Sequence, residues 1–276
     1  MLTSEVFDIC QKDKVVYIQM PIFSATGLVK HCFSTRLGGK SSGIFESMNL
    51  GFHRGDQEEN VRENYQILCD TIGIHTSDLV FSSQIHEDKI AIVDRKDRGK
   101  GFERENDLLG VDGLITNEKD VALVTSFADC VPLYFLDPIK QVIALTHAGW
   151  RGTVKKIGAK TVHLMEEHFG SKSEDILTVI GPSIGVCCFE VSEDVKIEVE
   201  KMFNRDIIDK IVKKHHENKY MIDLWSANEE VLLEAGIKKQ NIQKTDICTM
   251  CNKDVLFSHR GTDGKRGNMV AIMALK

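Results

Sequence analysis

The sequence lacks the features that mark membrane, exported and nucleic-acid-binding proteins. No apolar stretch reaches the ~18 residues that a membrane-spanning helix needs. The opening residues, MLTSEVFDICQKDK, contain no apolar segment behind a charged start, as a signal peptide would. The formal net charge of -6 argues against the basic stripe of a nucleic-acid surface. We therefore expect a cytoplasmic protein with no membrane partner and no nucleic-acid partner.

Proline and cysteine are also scarce. The chain has only 4 prolines among 276 residues and no low-complexity segment or repeat, so no linker is visible. With 42% apolar residues we expect residues 1–276 to form one domain, as a monomer or a homodimer. Eight cysteines are too few for a disulfide scaffold, and in the cytoplasm they would be reduced thiols. Each cysteine is then a packing residue, a metal ligand or a redox group.

Short apolar runs separated by turn residues predict strands, and apolar residues at helical spacing predict helices. Strands are predicted at 29–33, 79–83, 89–93, 113–116, 121–126, 133–136, 142–146, 177–180 and 268–275. Helices are predicted at 56–73, 154–168, 193–203 and 227–234. The first helix has Asp56 as its expected N-cap and Glu59 at the capping-box position, and the second should close at Gly170. Because strands and helices do not alternate strictly, we expect an α+β (α/β-like) fold with mixed β-sheets flanked by helices.

Three of the ten histidines, His86, His147 and His259, stand where a strand or loop ends beside small or polar residues. Enzymes with mixed helices and strands assemble their sites at such strand ends. Cys130 stands at the end of another apolar segment, VALVTSF, where packing is its alternative role. Catalytic zinc takes three protein ligands, and cysteine with histidine is a familiar set. His86, Cys130 and His147 therefore predict a zinc site, with copper as the alternative metal.

Several segments carry a family resemblance: SSQIHEDKI, VDGLIT, SFADCVPLYFLD, THAGWRGT, GPSIGVCCFEV and FSTRLGGKSSGIFESMNLG. With the C-terminal FSHRGTDGKRGNMVAIMAL they resemble the laccase-domain proteins once called multicopper polyphenol oxidases, from about residue 28 onwards. In that family the metal ligands fall at the positions of His86, Cys130 and His147, the same trio that metal chemistry selects. The sequence departs from the family at Phe189, where tyrosine is more usual.

The resemblance implies a zinc-dependent purine nucleoside phosphorylase with adenosine deaminase activity. Its substrates would be adenosine, inosine, guanosine or methylthioadenosine together with phosphate, which yield the free base and a ribose 1-phosphate derivative. Zinc would activate water for attack at C6 of adenosine. Cys130 and His147 would then be catalytic residues as well as metal ligands.

Four further residues are candidates for substrate contact. Arg36 lies in the loop STRLGG, where a guanidinium could hold phosphate, and Asn49 in MNLG is a similar candidate. Arg151 lies beside a helix start expected at Thr153, where backbone amides favour an anion. Glu190 could act as a general base or a ribose contact, and a salt-bridged strand end is its structural alternative. Further anion contacts could come from the segment FSHRGTDGKRG, through Arg260 and Arg266.

The glycines of THAGWRGT also have an expected role. Gly149 and Gly152 would let the backbone turn tightly beside the metal. Trp150 between them is expected either to contact the site or to anchor the core.

The motif Cys248-Thr-Met-Cys251 is similar to half of a zinc or redox site. No second CxxC accompanies it, so we interpret this pair as structural.

Two other functions stay open at this point. A copper-dependent polyphenol oxidase could use a His2Cys site, but a trinuclear copper cluster is built on His-x-His pairs, and the sequence has none. The other is a non-catalytic zinc or nucleoside-binding module. The set of three ligands argues against it, because a structural zinc site usually has four.

Overall fold

The computed structural model describes residues 2–276, which contain fifteen strands and seven α-helices. The strands are β1 (Asp8–Lys12), β2 (Val15–Gln19), β3 (Val29–Ser34), β4 (Leu79–Phe81), β5 (Ile90–Ile92), β6 (Gly113–Thr116), β7 (Ala122–Phe127), β8 (Val131–Asp137), β9 (Val142–Ala148), β10 (Leu177–Ile180), β11 (Glu190–Ser192), β12 (Val212–His216), β13 (Lys219–Ile222), β14 (Ile242–Lys244) and β15 (Met269–Leu275). The helices are α1 (Pro21–Ser24), α2 (Glu58–Ile72), α3 (Trp150–Val154), α4 (Ile157–Phe169), α5 (Glu193–Glu200), α6 (Arg205–Ile211) and α7 (Leu224–Glu234).

Two six-stranded mixed sheets form the centre of the fold. The first has the order β1-β2-β3-β15-β7-β4 and the second β14-β10-β8-β9-β6-β5, while β11, β13 and β12 form a small antiparallel sheet. The chain passes from the first sheet to the second in the short turn between β7 and β8. The predicted α+β fold with mixed sheets flanked by helices is confirmed.

The large sheets pack on each other, and helices cover both outer faces. Phe33 and Phe127 of the first sheet share an apolar cluster with Tyr134 and Leu145 of the second. The Tyr134 hydroxyl crosses between the sheets and donates to the Cys32 carbonyl at 3.0 Å. Successive residues of β8 therefore point alternately into this cluster and towards the helices on the outer face. Burial on both faces explains why β8 is a continuous apolar run.

Two helix predictions need correction. Asp56 is not the N-cap of α2: the helix begins after Gln57, and the Asp56 carboxylate accepts from the Ser41 hydroxyl at 2.6 Å and the Asn49 amide at 2.9 Å. The helix predicted at 154–168 is two helices, α3 and α4, separated at Lys156, whose φ is +57°. The predicted closure at Gly170 is confirmed, with φ of +66°.

The sequence analysis did not predict β1, β2, α1, α6, β14 and the three strands of the small sheet. The side chains of β12 are mostly exposed and polar, so no apolar face marks it as a strand. None of the helices in residues 2–276 is both long and apolar enough to cross a membrane. The cytoplasmic location and the domain limits of 1–276 stay predictions.

Candidate metal centre

The fold brings the three predicted metal ligands to one point. Cys130 lies in the turn between β7 and β8, His147 lies near the end of β9, and His86 lies in the loop after β4. One ligand atom from each lies within 4.8 Å of the others. The two imidazole rings meet edge to face, with their centroids 4.8 Å apart. His147 is buried and His86 is exposed, so the group lies at a surface-accessible rim of the sheets.

The orientation of His147 is set by Asp112, which the sequence analysis did not single out. Its fully buried carboxylate lies 2.8 Å from Nδ1 of His147. This contact leaves Nε2 of His147 free to bind a metal, which is the usual arrangement of a carboxylate behind a histidine ligand. The only hint in the sequence was the aspartate of VDGLIT, directly before β6.

The same carboxylate holds the loop that carries His86. Asp112 accepts hydrogen bonds from the backbone N–H groups of Ile85, His86 and Glu87 at 3.0–3.1 Å. Burial opposes its charge, but the hydrogen bond from His147 and those from the loop lower the pKa of Asp112 below its ordinary value. A single anionic side chain thus fixes two of the three ligands.

Gln84 fastens the other end of this loop. Its side-chain oxygen accepts from the Ser126 N–H at 2.7 Å, and its amide nitrogen donates to the Ser126 carbonyl at 2.9 Å. Between these attachments His86 adopts a φ of +65°, a left-handed conformation that costs energy for a residue other than glycine. The hydrogen bonds of Gln84 and Asp112 offset that cost and orient the His86 ring towards the metal centre.

Gly149 is required for a reason other than the predicted tight turn. Its φ is -62°, which any residue can adopt. A Cβ at this position would lie 3.2 Å from Sγ of Cys130 and 3.3 Å from Cδ2 of His86, so a side chain would crowd the ligands. The helix start is also three residues earlier than predicted, since α3 begins at Trp150 rather than Thr153.

The charges of the ligands suit a metal ion. Burial by itself would raise the pKa of the Cys130 thiol, but His147 and His86 lower it to about 6. Burial likewise disfavours charge on His147, whereas Cys130 and Asp112 raise the pKa of His147 to about 9. Without a metal, the pair is therefore a thiolate and an imidazolium near neutral pH. The thiolate is the form of cysteine that binds metals.

Two cavities of about 380 and 530 Å³ meet at the ligands. Both are within the usual size range of small-molecule sites. The smaller has an apolar wall that includes Trp150, Phe189 and Leu224, and the larger has more polar groups, among them Asn106 and Asn268. Five residues line both: Arg54, His86, Ala128, Cys130 and Arg266.

Of the predicted substrate contacts, Arg151 lines the smaller cavity. Its guanidinium lies 4.3 Å from the centre of the Trp150 ring, so the two side chains form one wall. Trp150 is half-buried and faces the cavity as well as the apolar cluster behind it.

Arg36 and Asn49 make structural contacts and line neither cavity at the centre, so their contact with substrate stays a prediction. The Arg36 guanidinium donates to the carbonyls of Glu46 and Lys253 at 2.7 and 3.0 Å, and it lines neither cavity at the centre. The buried Asn49 amide accepts from the N–H groups of Gly51 and Asn268, both at 2.9 Å. These contacts hold both side chains away from the two cavities.

Glu190 also lies outside both cavities. It belongs to β11 and lines a neighbouring cavity of about 390 Å³ that Trp150 and Arg260 also line. Its carboxylate lies 3.6 Å from Nε2 of His215, in line with the structural alternative of an ion-paired strand end. The predicted role as general base therefore lacks contact with the centre.

A cationic group formed by Arg266, one of the further anion contacts predicted from the sequence, and the unpredicted Arg54 lines both cavities. Arg266 is 8% exposed, and its Nε has no partner among the described residues. Burial, followed by the charge of Arg54, lowers the pKa of Arg266 to about 10. A buried guanidinium with a free donor and a second arginine nearby is suited to bind an anion. Arg54 carried no recognisable signal in the sequence, because no motif surrounds it.

A family model described as "Multi-copper polyphenol oxidoreductase laccase" matches residues 30–276. The chain belongs to this family. Within it, "Purine nucleoside phosphorylase YlmD" of Bacillus subtilis (strain 168) is 37% identical over 246 residues, which are 88% of this chain and 87% of that protein. "Adenosine deaminase RL5" of an unknown prokaryotic organism is 34% identical over 232 residues, 83% of this chain and 87% of that protein.

The fold agrees with a solved structure. The crystal structure of Bacillus licheniformis hypothetical protein YfiH superposes with a TM-score of 0.92 at 34% identity, covering 99% of this chain and all of that one. The resemblance inferred from the motifs is thereby confirmed along nearly the whole chain.

We predict that Asp112→Asn weakens zinc binding by about 10- to 100-fold, the usual effect of losing a partner behind a histidine ligand. The new amide nitrogen would face a backbone N–H or the imidazole, so unfolding should also become easier by about 1–3 kcal/mol. Zinc titration against a competing chelator measures the first effect. Asp107→Asn, the same change at an exposed carboxylate, is the control. Unchanged zinc affinity in Asp112→Asn would contradict the role assigned to Asp112.

A second prediction concerns thiol reactivity in chelator-treated protein. Because the pKa of Cys130 is lowered to about 6, its thiolate persists at neutral pH and is lost only as the pH falls through about 6. Alkylation of Cys130 by iodoacetamide, followed by peptide mass spectrometry, should therefore have its midpoint near that pH, and added zinc should suppress it. A midpoint near the ordinary cysteine value of 9.0 would refute the thiolate assignment.

Proposed function

We propose that this protein is a zinc-dependent purine nucleoside phosphorylase that also deaminates adenosine. The observation that carries the proposal is the His2Cys group at the junction of two cavities of nucleoside size. The names of relatives at 34–37% identity support the same two activities.

His86, Cys130 and His147 would hold the metal. One thiolate and two imidazoles are a common zinc ligand set, and three protein ligands are typical of catalytic rather than structural zinc. Zinc bound in this way supplies Lewis acidity at an open coordination position. Asp112 keeps the His147 ring in the orientation in which Nε2 faces the centre.

Phosphate would bind at Arg266 and Arg54, next to the ligands. Arg266 lines both cavities, its buried Nε has no hydrogen-bond partner among the described residues, and burial strengthens its attraction for an anion. His259 lies beside it, with Nδ1 3.4 Å from a guanidinium nitrogen of Arg266. Burial and the nearby arginines lower the pKa of His259, so its imidazole is neutral at physiological pH and adds no charge of its own.

The purine would pack in the smaller cavity, against the apolar wall of Trp150, Phe189 and Leu224. Aromatic rings present flat apolar faces that stack on a base. The ribose would then lie towards the ligands and the arginines. A nucleoside that fills this cavity would exclude water from C1′, and phosphate rather than water would then be the favoured acceptor there.

In phosphorolysis the bond between C1′ and N9 breaks, an oxygen of monohydrogen phosphate forms the new bond to C1′, and the proton that the phosphate gives up is taken by a ring nitrogen of the departing base. Arg266 and Arg54 orient the phosphate for this step. In deamination water replaces the amino group at C6, and ammonia leaves. Deamination needs no phosphate, and this difference separates the roles of the arginines from those of the metal ligands.

We predict that Cys130→Ser reduces phosphorolysis of inosine and deamination of adenosine together, each by more than about 100-fold. A serine hydroxyl is hard to deprotonate and binds zinc poorly, and this loss should exceed that of a supporting group. Both rates are measured on the same preparation with its zinc content. The change removes little volume, so circular dichroism should show a folded protein. Cys10→Ser, on the edge strand β1, is the control. A Cys130→Ser protein with the same zinc content as the wild type and with both rates unchanged would contradict the assignment.

We also predict that Arg266→Gln raises the KM for phosphate by about 10- to 100-fold, as expected from losing charge-assisted hydrogen bonds of about 1.5–3 kcal/mol. Adenosine deamination should change far less. Arg36→Gln is the matched control, because Arg36 contacts backbone carbonyls away from the centre. Equal loss of both activities in Arg266→Gln, or a raised KM for phosphate in Arg36→Gln, would count against the phosphate site.

The copper oxidase alternative has less support from the described residues. One cysteine and two histidines meet at the centre, and the remaining histidine cluster pairs His215 and His216 with Glu190 at an exposed edge. A trinuclear copper site needs more imidazoles than either group provides. Stoichiometric copper in the native protein, together with turnover of phenols, would overturn the proposed function.

A further inference from the structure

A second group of thiols lies in the two loops behind the Cys130 turn. Cys187 and Cys188 precede β11, and Cys248 and Cys251 follow β14. Their four Sγ atoms all lie within 4.8 Å of one another. We propose that this four-cysteine cluster is a second metal site, which binds zinc as a closed tetrahedral centre.

The distances match thiolates around a zinc ion. With Zn–S bonds of about 2.3 Å, the sulfurs of a tetrahedral site lie ~3.8 Å apart. Sγ of Cys251 lies 3.6 Å from that of Cys187 and 3.5 Å from that of Cys188. A disulfide would need about 2.05 Å. All four cysteines are free thiols in the structure.

The cluster is assembled by backbone contacts that need no metal. Ser183 and Cys248 form a parallel β-bridge, and the Thr249 N–H donates to the Ser183 carbonyl at 3.0 Å. The indole of Trp225 donates to the Ser183 hydroxyl at 2.7 Å. These bonds hold the two loops together and so bring the four thiols beside one another.

A backbone group supports one of the ligands directly. The Gly185 N–H donates to Sγ of Cys248 at 3.2 Å, a hydrogen bond that stabilises the negative charge of a thiolate ligand. A Cβ at Gly185 would lie 3.1 Å from the Trp225 ring and 3.3 Å from Sγ of Cys187. Glycine at this position therefore allows the backbone to come close enough to the sulfurs.

Apolar packing does not account for these thiols. Free cysteine is usually a buried residue, yet Cys187 and Cys251 are both exposed. Spacing along the chain marks only Cys248 and Cys251, and no second CxxC accompanies them. The fold instead places the adjacent pair Cys187 and Cys188 beside this CxxC. The structural role predicted for the CxxC is therefore that of half of a zinc site that joins two loops.

The zinc-bound four-cysteine cluster would stabilise the wall of the smaller cavity. Ile184 and Phe189, beside the first cysteine pair, line the smaller cavity, as does Arg260 beyond the second pair. Thr249, between the second pair, donates through its hydroxyl to the Asp129 carboxylate at 2.6 Å. Asp129 precedes Cys130 in the chain, so this hydrogen bond connects the four-cysteine cluster to a proposed ligand of the catalytic metal. This proposal stands independently of the reaction that the protein catalyses.

The test is the zinc content of the full chain, purified with a reducing agent. We expect about two zinc ions per chain, one from each ligand set, and about one in Cys130→Ser. X-ray absorption at the zinc edge of Cys130→Ser should contain a sulfur shell alone, at about 2.3 Å. Because Cys130→Ser keeps the cluster intact, this measurement does not depend on how cluster variants fold.

Cluster variants complete the test. Cys251→Ser and Cys187→Ser should each lose one zinc ion and keep the other, with a lower midpoint of thermal unfolding, while Cys10→Ser keeps both ions. One zinc ion in the wild-type protein with none in Cys130→Ser would overturn the proposal. So would nitrogen in the zinc shell of Cys130→Ser, or a disulfide that joins Cys251 to Cys187 or Cys188 in unreduced protein.

Discussion

The buried carboxylate of Asp112 is the interaction on which the catalytic centre depends. It accepts three backbone N–H groups from the His86 loop and lies against Nδ1 of His147. Its backbone carbonyl also accepts from the His147 N–H at 2.8 Å. A charge buried without a lysine or arginine partner is costly unless donors surround it, and here four donors do. Removing the carboxylate would leave these four donors without their acceptor at once.

The turn between the two sheets has a comparable role for Cys130. Asp129 adopts a φ of +87°, which is unfavourable for a residue with a Cβ. Its carboxylate offsets that cost by accepting from the Thr249 hydroxyl and from the Arg260 N–H at 2.7 Å. The C-terminal loops therefore help to aim the thiolate, although they supply no ligand to it.

The two cysteine-containing groups differ in the way that catalytic and structural metal sites usually differ. The His86, Cys130 and His147 group has three ligands and opens onto two cavities, whereas the four-cysteine cluster has four ligands, none of which lines those cavities. Zinc sites with three protein ligands leave a position for substrate, and those with four do not. Through Asp129 and Thr249 the proposed structural site is attached to the wall of the proposed catalytic site.

The sequence by itself determined the layers of the fold and the candidate ligands of the centre. Continuous apolar runs such as β8 have no alternative to burial on both faces, and His86, Cys130 and His147 stand at strand ends within distinctive motifs. Tertiary structure alone decided which polar residues reach the centre. Arg36 and Asp112 both lie in family motifs, but the loop around Arg36 presents carbonyls to its guanidinium, whereas the start of β6 places Asp112 under the histidines.

The sequence was equally unable to show which thiols meet. Spacing along the chain reveals a CxxC, but only the packing of two distant loops brings Cys187 and Cys188 to Cys248 and Cys251, because contacts between remote segments leave no periodic signal in the sequence.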